Sequence, residues 1–191
     1  MRAVTVAERM TAEQFLALEP SESDPPRSEL INGEVVVNAP KRLHQAVAFD
    51  LASALRSWAR AEPGRGEVTL PIDIQLDEHN VFEPDILWYR DGRVPPRDAD
   101  LPCALPDLAV EIRSPSTWRY DIGAKKSHYE RHGLPELWLL DTAAEEVLAF
   151  RRSAPGAPSF NTTLELARGD VLESPLLPGF GLRVNELFGE G

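Results

Sequence analysis

Two acidic residues stand in predicted strands at positions where apolar residues are the norm. Asp85 begins one apolar run, and Glu111 lies inside the next one. Val110 and Ile112 share one face of that strand, so Glu111 points to the opposite face. A buried carboxylate is costly without a compensating cation or donor, and two carboxylates on adjacent strands can hold a hard divalent cation such as Mg²⁺. The alternatives are an ion pair with Arg113 or a carboxylate that faces water at a sheet edge.

The elements that must position these acids follow from apolar periodicity and turn signals. Amphipathic helices are predicted over residues 43–58 and 121–132. Strands are predicted over residues 68–77, 85–89, 107–113, 136–141, 146–151, 160–166 and 170–172, with 136–141 as a central buried strand. This order predicts a mixed β-sheet core flanked by helices, an α/β or α+β fold, in a single domain over residues 1–191.

The N-terminal part of the chain predicts a short helix and a β-hairpin. Thr11 and Gln14 have the spacing of a capping box for a helix that ends near residue 18. The prolines in residues 19–27 then predict a connector. Asn32-Gly33 tolerates the positive φ values of a tight hairpin turn between two short strands. We expect the helix over residues 43–58 to cover this hairpin with its apolar positions, Leu43, Val47, Leu51, Leu55 and Trp58.

Charge and cysteine content exclude several classes of protein. The 191 residues carry 31 acidic and 20 basic side chains, a net charge of −11. An acidic chain repels phosphate backbones at long range, which disfavours a protein that coats DNA through salt-driven binding. Cys103 is the only cysteine and can form no intramolecular disulfide. No apolar run approaches the roughly 20 residues of a membrane span, and the first residues lack an apolar leader. We therefore expect a cytoplasmic protein with no membrane partner.

Short motifs along the chain resemble a known family. Pro84-Asp85 followed by Glu111-Ile112-Arg113 is similar to the Pro-Asp…(Asp/Glu)-x-Lys pattern, PD-(D/E)XK, of the restriction-endonuclease-like superfamily. A longer set of motifs resembles the Uma2 family of restriction-endonuclease-like proteins, mostly bacterial, over about residues 11 to 188. These motifs are Glu29-Leu30-Ile31-Asn32-Gly33-Glu34, His44-Gln45, Glu83-Pro84-Asp85, Pro106-Asp107-Leu108-Ala109-Val110-Glu111-Ile112, Ser114-Pro115-Ser116-Thr117, Asp121, Lys125, Tyr129 and Pro135-Glu136-Leu137-Trp138.

The resemblance implies a metal-dependent endonuclease that hydrolyses phosphodiester bonds of nucleic acid, with DNA as the first expectation. Asp85, Glu111 and the Ile112 carbonyl are the implied ligands of Mg²⁺ or Mn²⁺. Glu29 is a candidate third carboxylate, although a surface charge on an edge strand explains it equally well. By analogy with the superfamily, a homodimer suits the cutting of two strands.

The position of the superfamily's signature lysine is occupied by Arg113, whose charge is fixed. Lys125 is the expected substitute, since the family has its own lysine at this position, on the helix that follows the Glu111 strand. There it can orient water and stabilise the developing negative charge. Asp121 and Tyr129, each four residues from Lys125, are expected to orient it. The alternative is an exposed Asp121–Lys125 pair of little energetic consequence.

The remaining candidates are contacts to the substrate. Arg113 and Arg119 belong to a locally basic segment, residues 113–131, that can bind phosphate, although a stretch this short can be basic by chance. His44 can contact phosphate, although a lone histidine at a helix start is more often an ordinary polar residue. Two other functions are alternatives to the endonuclease. A non-catalytic binding or assembly module on the same fold is favoured by the acidic charge and by Arg113. A small-phosphoester hydrolase is less favoured because the chain has no glycine-rich phosphate loop.

Overall fold

Two β-sheets pack against each other in the computed structural model, which describes residues 9–18 and 27–189. The helices are α1 (Ala12–Leu16), α2 (Arg42–Ala61), α3 (Trp118–Tyr120), α4 (Lys126–Arg131) and α5 (Val184–Phe188), with a π-helical turn (Asp121–Lys125) between α3 and α4. The strands are β1 (Ser28–Ile31), β2 (Glu34–Val37), β3 (Glu67–Thr69), β4 (Ile74–Asp77), β5 (Asn80–Phe82), β6 (Ile86–Tyr89), β7 (Leu108–Ile112), β8 (Glu136–Asp141), β9 (Glu146–Arg151), β10 (Thr162–Leu166), β11 (Val171–Leu172) and β12 (Leu182–Arg183).

The larger sheet has six strands in the order β10-β9-β8-β7-β6-β3. Only β7 and β8 pair in parallel, and the helical segment from α3 to α4 forms the crossover between them. The smaller sheet has the order β2-β1-β5-β4, and β11 pairs with β12. The predicted mixed sheet flanked by helices, with an N-terminal helix and a hairpin, is confirmed.

Helices cover both faces of the six-stranded sheet. On one face, α2 and α5 pack against the alternate residues Ile86, Leu108, Val110 and Ile112. On the other face, Leu87, Ala109 and Leu139 meet Tyr129 of α4 together with Ile31 and Phe82 of the four-stranded sheet. The outer side of the small sheet is closed by Phe15 of α1. Residues on β7 that point away from α2 therefore lie between the two sheets, where Glu111 is placed.

The local signals at the N-terminal helix and the hairpin are confirmed. Thr11 and Gln14 form the reciprocal hydrogen bonds of a capping box at the start of α1. Asn32 and Gly33 have φ values of 54° and 77°, in the left-handed region that the turn between β1 and β2 requires.

The strand predicted over residues 68–77 is wrong as a single element. Its first part is β3, in the six-stranded sheet, and its second part is β4, in the four-stranded sheet. Pro71 lies at the break, where it can donate no hydrogen bond to a ladder. Leu70, which the alternating pattern assigns to the buried face, has 62% of its surface exposed.

Helix α2 is longer than the predicted 43–58, and it buries the predicted apolar positions except Leu43, but it packs on a different partner. Leu43 is 48% exposed, whereas His44, Val47, Leu51 and Leu55 are buried. The helix packs on the six-stranded sheet and leaves the hairpin uncovered. The prediction for Leu43 is wrong because periodicity favours an apolar residue over its polar neighbour, and His44 is buried through a hydrogen bond rather than by its hydrophobicity.

The helix predicted over residues 121–132 begins earlier, at Trp118, and contains the π-helical turn. The short strands β5 and β12 have no sequence signal that predicts them. Most of the connector predicted over residues 19–27 lies outside the described residues, as do residues 1–8. Within the described ranges, no helix combines the length and the apolar character needed to cross a membrane.

Candidate active site

Carboxylates from three strand ends meet between the two sheets. Glu29 belongs to β1, Asp85 directly precedes β6, and Glu111 belongs to β7. Ile86 pairs with Val110, so Asp85 and Glu111 stand at the same end of two antiparallel strands. Each of the three acids has only 3% of its surface exposed. Burial of this kind requires partners for every carboxylate.

Lys125 provides the central partner. Its Nζ lies 2.7 Å from Glu29 Oε1 and 2.7 Å from Glu111 Oε1, and 3.5 Å from Asp121 Oδ1. The ring of Phe82 covers it, with the centroid 5.4 Å from Nζ. Burial alone lowers the pKa of Lys125, but the three carboxylates outweigh that effect and hold the pKa above its ordinary value. Lys125 is therefore a fixed ammonium between two glutamates.

Asp121 and Lys125 lie on the same side of a π-helical turn. Within it, the backbone N–H of Lys126 donates to the carbonyl of Asp121, five residues back. Both Asp121 and Lys125 are buried by this arrangement. Asp121 also accepts a hydrogen bond from Thr117 Oγ1 at 3.3 Å. The extra residue in the turn sets the direction from which the lysine enters the cluster.

Asp85 has its own set of donors. Arg27 Nη1 donates to Oδ1 at 2.7 Å, while the backbone N–H of Ile112 and the His44 ring nitrogen Nε2 reach Oδ2 at 2.7 and 3.1 Å. Burial raises the pKa of Asp85, but the hydrogen bonds and charges of His44 and Arg27 outweigh it, and the pKa is lowered. The Asp85 carboxylate is therefore stable as an anion.

Glu111 is in the opposite electrostatic situation. Tyr129 donates its hydroxyl proton to Glu111 Oε1 at 2.6 Å. Burial, followed by the negative charges of Glu29, Asp121 and Asp85, raises the pKa of Glu111 well above its ordinary value, although Lys125 opposes this. The positive charge of Lys125 is thus too small to offset the effects that disfavour ionised Glu111.

The cluster as a whole carries more negative than positive charge. It contains four buried carboxylates and two cations; these are Glu29, Asp85, Glu111 and Asp121 against Arg27 and Lys125. When all four carboxylates are ionised, these groups leave an excess of two negative charges. A divalent cation with oxygen ligands would balance that excess, so the residues present fit Mg²⁺ or Mn²⁺.

The structure brings together most of the residues that the sequence singles out, in somewhat different roles. One cluster contains Glu29, Asp85, Glu111, Asp121, Lys125 and Tyr129. His44 joins it through its contact with Asp85. His44 is 2% exposed, so it orients Asp85 rather than lying at a surface. Tyr129 contacts Glu111 instead of orienting Lys125. Ile112 reaches Asp85 through its N–H, whereas the sequence interpretation uses its carbonyl.

Two arginines lie apart from the cluster. Arg113 donates from Nη1 to both oxygens of Asp141 at 2.8 Å, so it is the partner of Asp141 and not of Glu111. Arg119 donates to the hydroxyl of the adjacent Tyr120 at 2.8 Å, at the surface. Neither guanidinium contacts the buried carboxylates within the described part of the chain.

Arg27 is the member of the cluster that sequence reasoning missed. Besides Asp85 it contacts Glu83, through its Nε to Oε2 at 3.1 Å and through its Nη2 to the carbonyl at 2.6 Å. The sequence assigns Arg27 to the end of a connector. Its position two residues before Glu29 is the signal that could have found it, because residues two apart on an extended strand point to the same face.

The raised pKa of Asp121 predicts a pH-dependent stability. Burial and the charges of Glu29 and Asp85 raise this pKa to about 6, against Lys125. The folded state then binds the proton more tightly than the unfolded state, so the stability contributed by Asp121 is present below about pH 4 and is lost as pH rises through about 6. We expect the difference in unfolding free energy between wild type and Asp121→Asn to change by about 1–3 kcal/mol across this window.

Urea denaturation of both proteins between pH 4.5 and 7.5 tests this expectation. His128, whose pKa is lowered first by burial and then by Arg131, acts in the opposite direction in part of the window. Its contribution is common to both proteins and cancels in the difference. Parallel pH profiles for the two proteins would contradict the prediction.

Comparisons with known proteins agree with this fold. The model of the Uma2 family, described as "Putative restriction endonuclease", matches residues 12–185. The crystal structure of a "putative nuclease belonging to DUF820" from Anabaena variabilis superposes with a TM-score of 0.76. The alignment covers 94% of this chain and 97% of that chain at 22% sequence identity, which establishes a shared fold. No curated protein matches the chain.

Proposed function

The chain belongs to the Uma2 family, and on that premise we propose that it is a metal-dependent endonuclease acting on nucleic acid, with DNA as the substrate. The observation that carries the proposal is the Lys125 ammonium held at 2.7 Å from both Glu29 and Glu111. A lysine next to a set of buried acids combines a cation for the phosphate with oxygen ligands for a metal ion.

Asp85 and Glu111 would hold Mg²⁺ or Mn²⁺, with Glu29 as a third oxygen ligand. When bound, the metal ion supplies a Lewis acid and an activated water for attack on phosphorus. In this structure the Arg27 guanidinium is the cation that contacts Asp85 Oδ1, where a metal ion would bind. Its side chain and that of Glu83 are 15% and 20% exposed, more than those of Asp85 or Lys125. We propose that Arg27 moves from Asp85 to the phosphate when the site is loaded.

Lys125 and Tyr129 have different roles in this proposal. Because its pKa is raised, Lys125 keeps its proton and acts as a cation and hydrogen-bond donor to the developing negative charge, not as a base. Tyr129 holds the Glu111 carboxylate through its hydroxyl, which fixes the orientation of that ligand. His44 and the Ile112 N–H hold Asp85 in the same way.

Arg113 is proposed to bind the nucleic-acid backbone outside the chemical step. Its side chain is 34% exposed and its ion pair with Asp141 leaves the guanidinium at the surface. We expect Arg113→Ala to weaken substrate binding severalfold, with a shallower dependence of affinity on salt, and to leave the turnover of bound substrate nearly unchanged. Fluorescence-anisotropy titrations at several salt concentrations, with Arg119→Ala for comparison, measure this. A loss of turnover at saturating substrate would place Arg113 in the chemistry instead.

Cleavage assays test the function itself. Wild type is incubated with single- and double-stranded DNA and with RNA, in Mg²⁺, in Mn²⁺ and with a chelator. Metal-dependent cleavage that Glu111→Gln abolishes supports the proposal. Since cutting both strands of a duplex favours two sites, we propose a homodimer in the cytoplasm as the form that cuts duplex DNA.

A non-catalytic binding module is the second candidate. The ion pair between Arg27 and Asp85 and the fixed charge of Arg113 favour it, because both reduce the resemblance to a loaded nuclease site. Binding of nucleic acid without turnover in any metal would select this function over the first.

A further inference from the structure

A second group of metal-binding side chains also packs against Phe82. It consists of Asp77 at the end of β4, and His128 and His132 one turn apart on or next to α4. One ligand atom from each of the three lies within 4.8 Å of the other two. Phe82 packs against both groups, since its ring centroid lies 5.8 Å from that of His128 and 5.4 Å from Lys125 Nζ.

The spacing of the ligand atoms matches a tetrahedral metal ion. Asp77 Oδ2 is 3.6 Å from His128 Nδ1 and 3.5 Å from His132 Nε2, too far for good hydrogen bonds. Around a zinc ion with bonds of about 2.0–2.2 Å, tetrahedral ligand atoms are about 3.3–3.6 Å apart. Asp77 therefore stands at coordination distance from both imidazoles, whose own ligand atoms lie within 4.8 Å of each other.

Hydrogen bonds on the far side of each imidazole fix which nitrogen is available. His128 Nε2 is 2.8 Å from Asn32 Oδ1, and His132 Nδ1 is 2.8 Å from the carbonyl of His128. Both partners are acceptors, so these nitrogens carry the protons of the neutral rings. The lone pairs of His128 Nδ1 and His132 Nε2 then face Asp77. His128 is 5% exposed and its Nδ1 has no hydrogen-bond partner among the described residues.

Asp77 is oriented in the same manner. Its Oδ1 accepts hydrogen bonds from the backbone N–H of His79 at 2.9 Å and from Asn80 Nδ2 at 2.7 Å. The second oxygen is left to face the two imidazoles. Outer hydrogen bonds that hold every ligand in place are characteristic of metal centres.

We propose that Asp77, His128 and His132 bind a zinc ion whose fourth coordination position is open to water. Two imidazoles and one carboxylate suit Zn²⁺, whereas the carboxylates around Lys125 suit Mg²⁺. The side chains of Asp77 and His132, 34% and 24% exposed, provide the route of entry. The ion joins the β4–β5 hairpin to α4, the helix that carries Tyr129.

Zinc titration of the full-length, untagged protein after chelator treatment tests the proposal. Affinity is measured by competition with a chromophoric chelator, and Co²⁺ replaces Zn²⁺ to report tetrahedral geometry by absorption. We expect one zinc per chain and a loss of about 100-fold in affinity for His132→Gln and for Asp77→Asn. Because Gln and Asn keep the polarity of these partly exposed positions, both variants should fold, which circular dichroism verifies.

Two controls separate this site from other groups. His79→Gln, in the same hairpin, removes an imidazole whose Nδ1 is already bonded to the Met10 carbonyl, and it should bind zinc like wild type. Glu111→Gln should also bind zinc like wild type, because it alters only the carboxylate cluster. The proposal is overturned if wild type binds no zinc, if His132→Gln binds it undiminished, or if Glu111→Gln loses it.

Discussion

Replacing Lys125 with methionine is expected to lower cleavage by at least about 10³-fold and the free energy of unfolding by about 3–5 kcal/mol. The ammonium is the only side-chain cation in contact with Glu29 and Glu111 among the described residues. Without it, two buried carboxylates have no compensating charge at neutral pH. The loss of stability should therefore shrink as the pH falls, because Glu111 and Asp121, whose pKa values are raised, become protonated.

Lys126→Met is the matched control, because it removes the same charge one residue later. Lys126 is partly exposed, and its Nζ lies over the rings of Phe150 and Phe160 at 4.7 and 5.7 Å. We expect this variant to lose at most about 1 kcal/mol. Denaturant unfolding and single-turnover cleavage are measured for both variants. Stability and cleavage close to wild type in Lys125→Met would remove Lys125 from the centre of the site.

Asp85→Asn and Glu111→Gln should both abolish metal-dependent cleavage, yet only Asp85→Asn should lower stability substantially. In Asp85→Asn an amide nitrogen replaces an oxygen that accepts from Arg27, Ile112 or His44, and the Arg27 guanidinium loses its anion. We expect a loss of about 3 kcal/mol in metal-free protein. In Glu111→Gln the amide oxygen still accepts from Tyr129, and the cost of a buried charge disappears. We expect stability at pH 8 to stay within about 1 kcal/mol of wild type or to rise.

The comparison is made by urea unfolding at pH 8 in the presence of a chelator, so that metal binding does not contribute. Cleavage assays on the same preparations show whether both carboxylates are required. Equal destabilisation by the two substitutions would mean that Glu111 is a structural ion-pair partner like Asp85. Residual metal-dependent cleavage in either variant would remove that acid from the set of ligands.

Much of this site could be predicted from local sequence because its residues stand in regular elements. An acid inside an apolar strand, as at Glu111, and a dipeptide such as Asn32-Gly33 each leave a recognisable pattern. Lys125 lacks such a local pattern, and the family resemblance was needed to favour it. The ion pair between Arg27 and Asp85 joins residues 58 positions apart, and no periodicity reports such a contact.

The errors in the fold have related causes. The alternating pattern of residues 68–77 is compatible with one strand. Only the pairing partners of β3 and β4 show that the segment is divided between two sheets. The buried face of α2 includes His44 because Asp85 offers it a hydrogen bond. Both features depend on residues distant in sequence, so a local pattern predicts the element but not its partner.

In the π-helical turn, the number of residues affects the geometry of the site more than their identity does. Each residue of an α-helix advances the chain by about 100° around the axis. Deletion of one residue between Asp121 and Lys125 would convert the turn to α-helix and rotate the segment before it against α4 by that amount, so that Thr117, which donates to Asp121, would change direction relative to Lys125. Gly123, in the same turn, has open space where a Cβ would stand. We therefore expect a substitution at Gly123 to leave the site intact and a deletion in the turn to alter it.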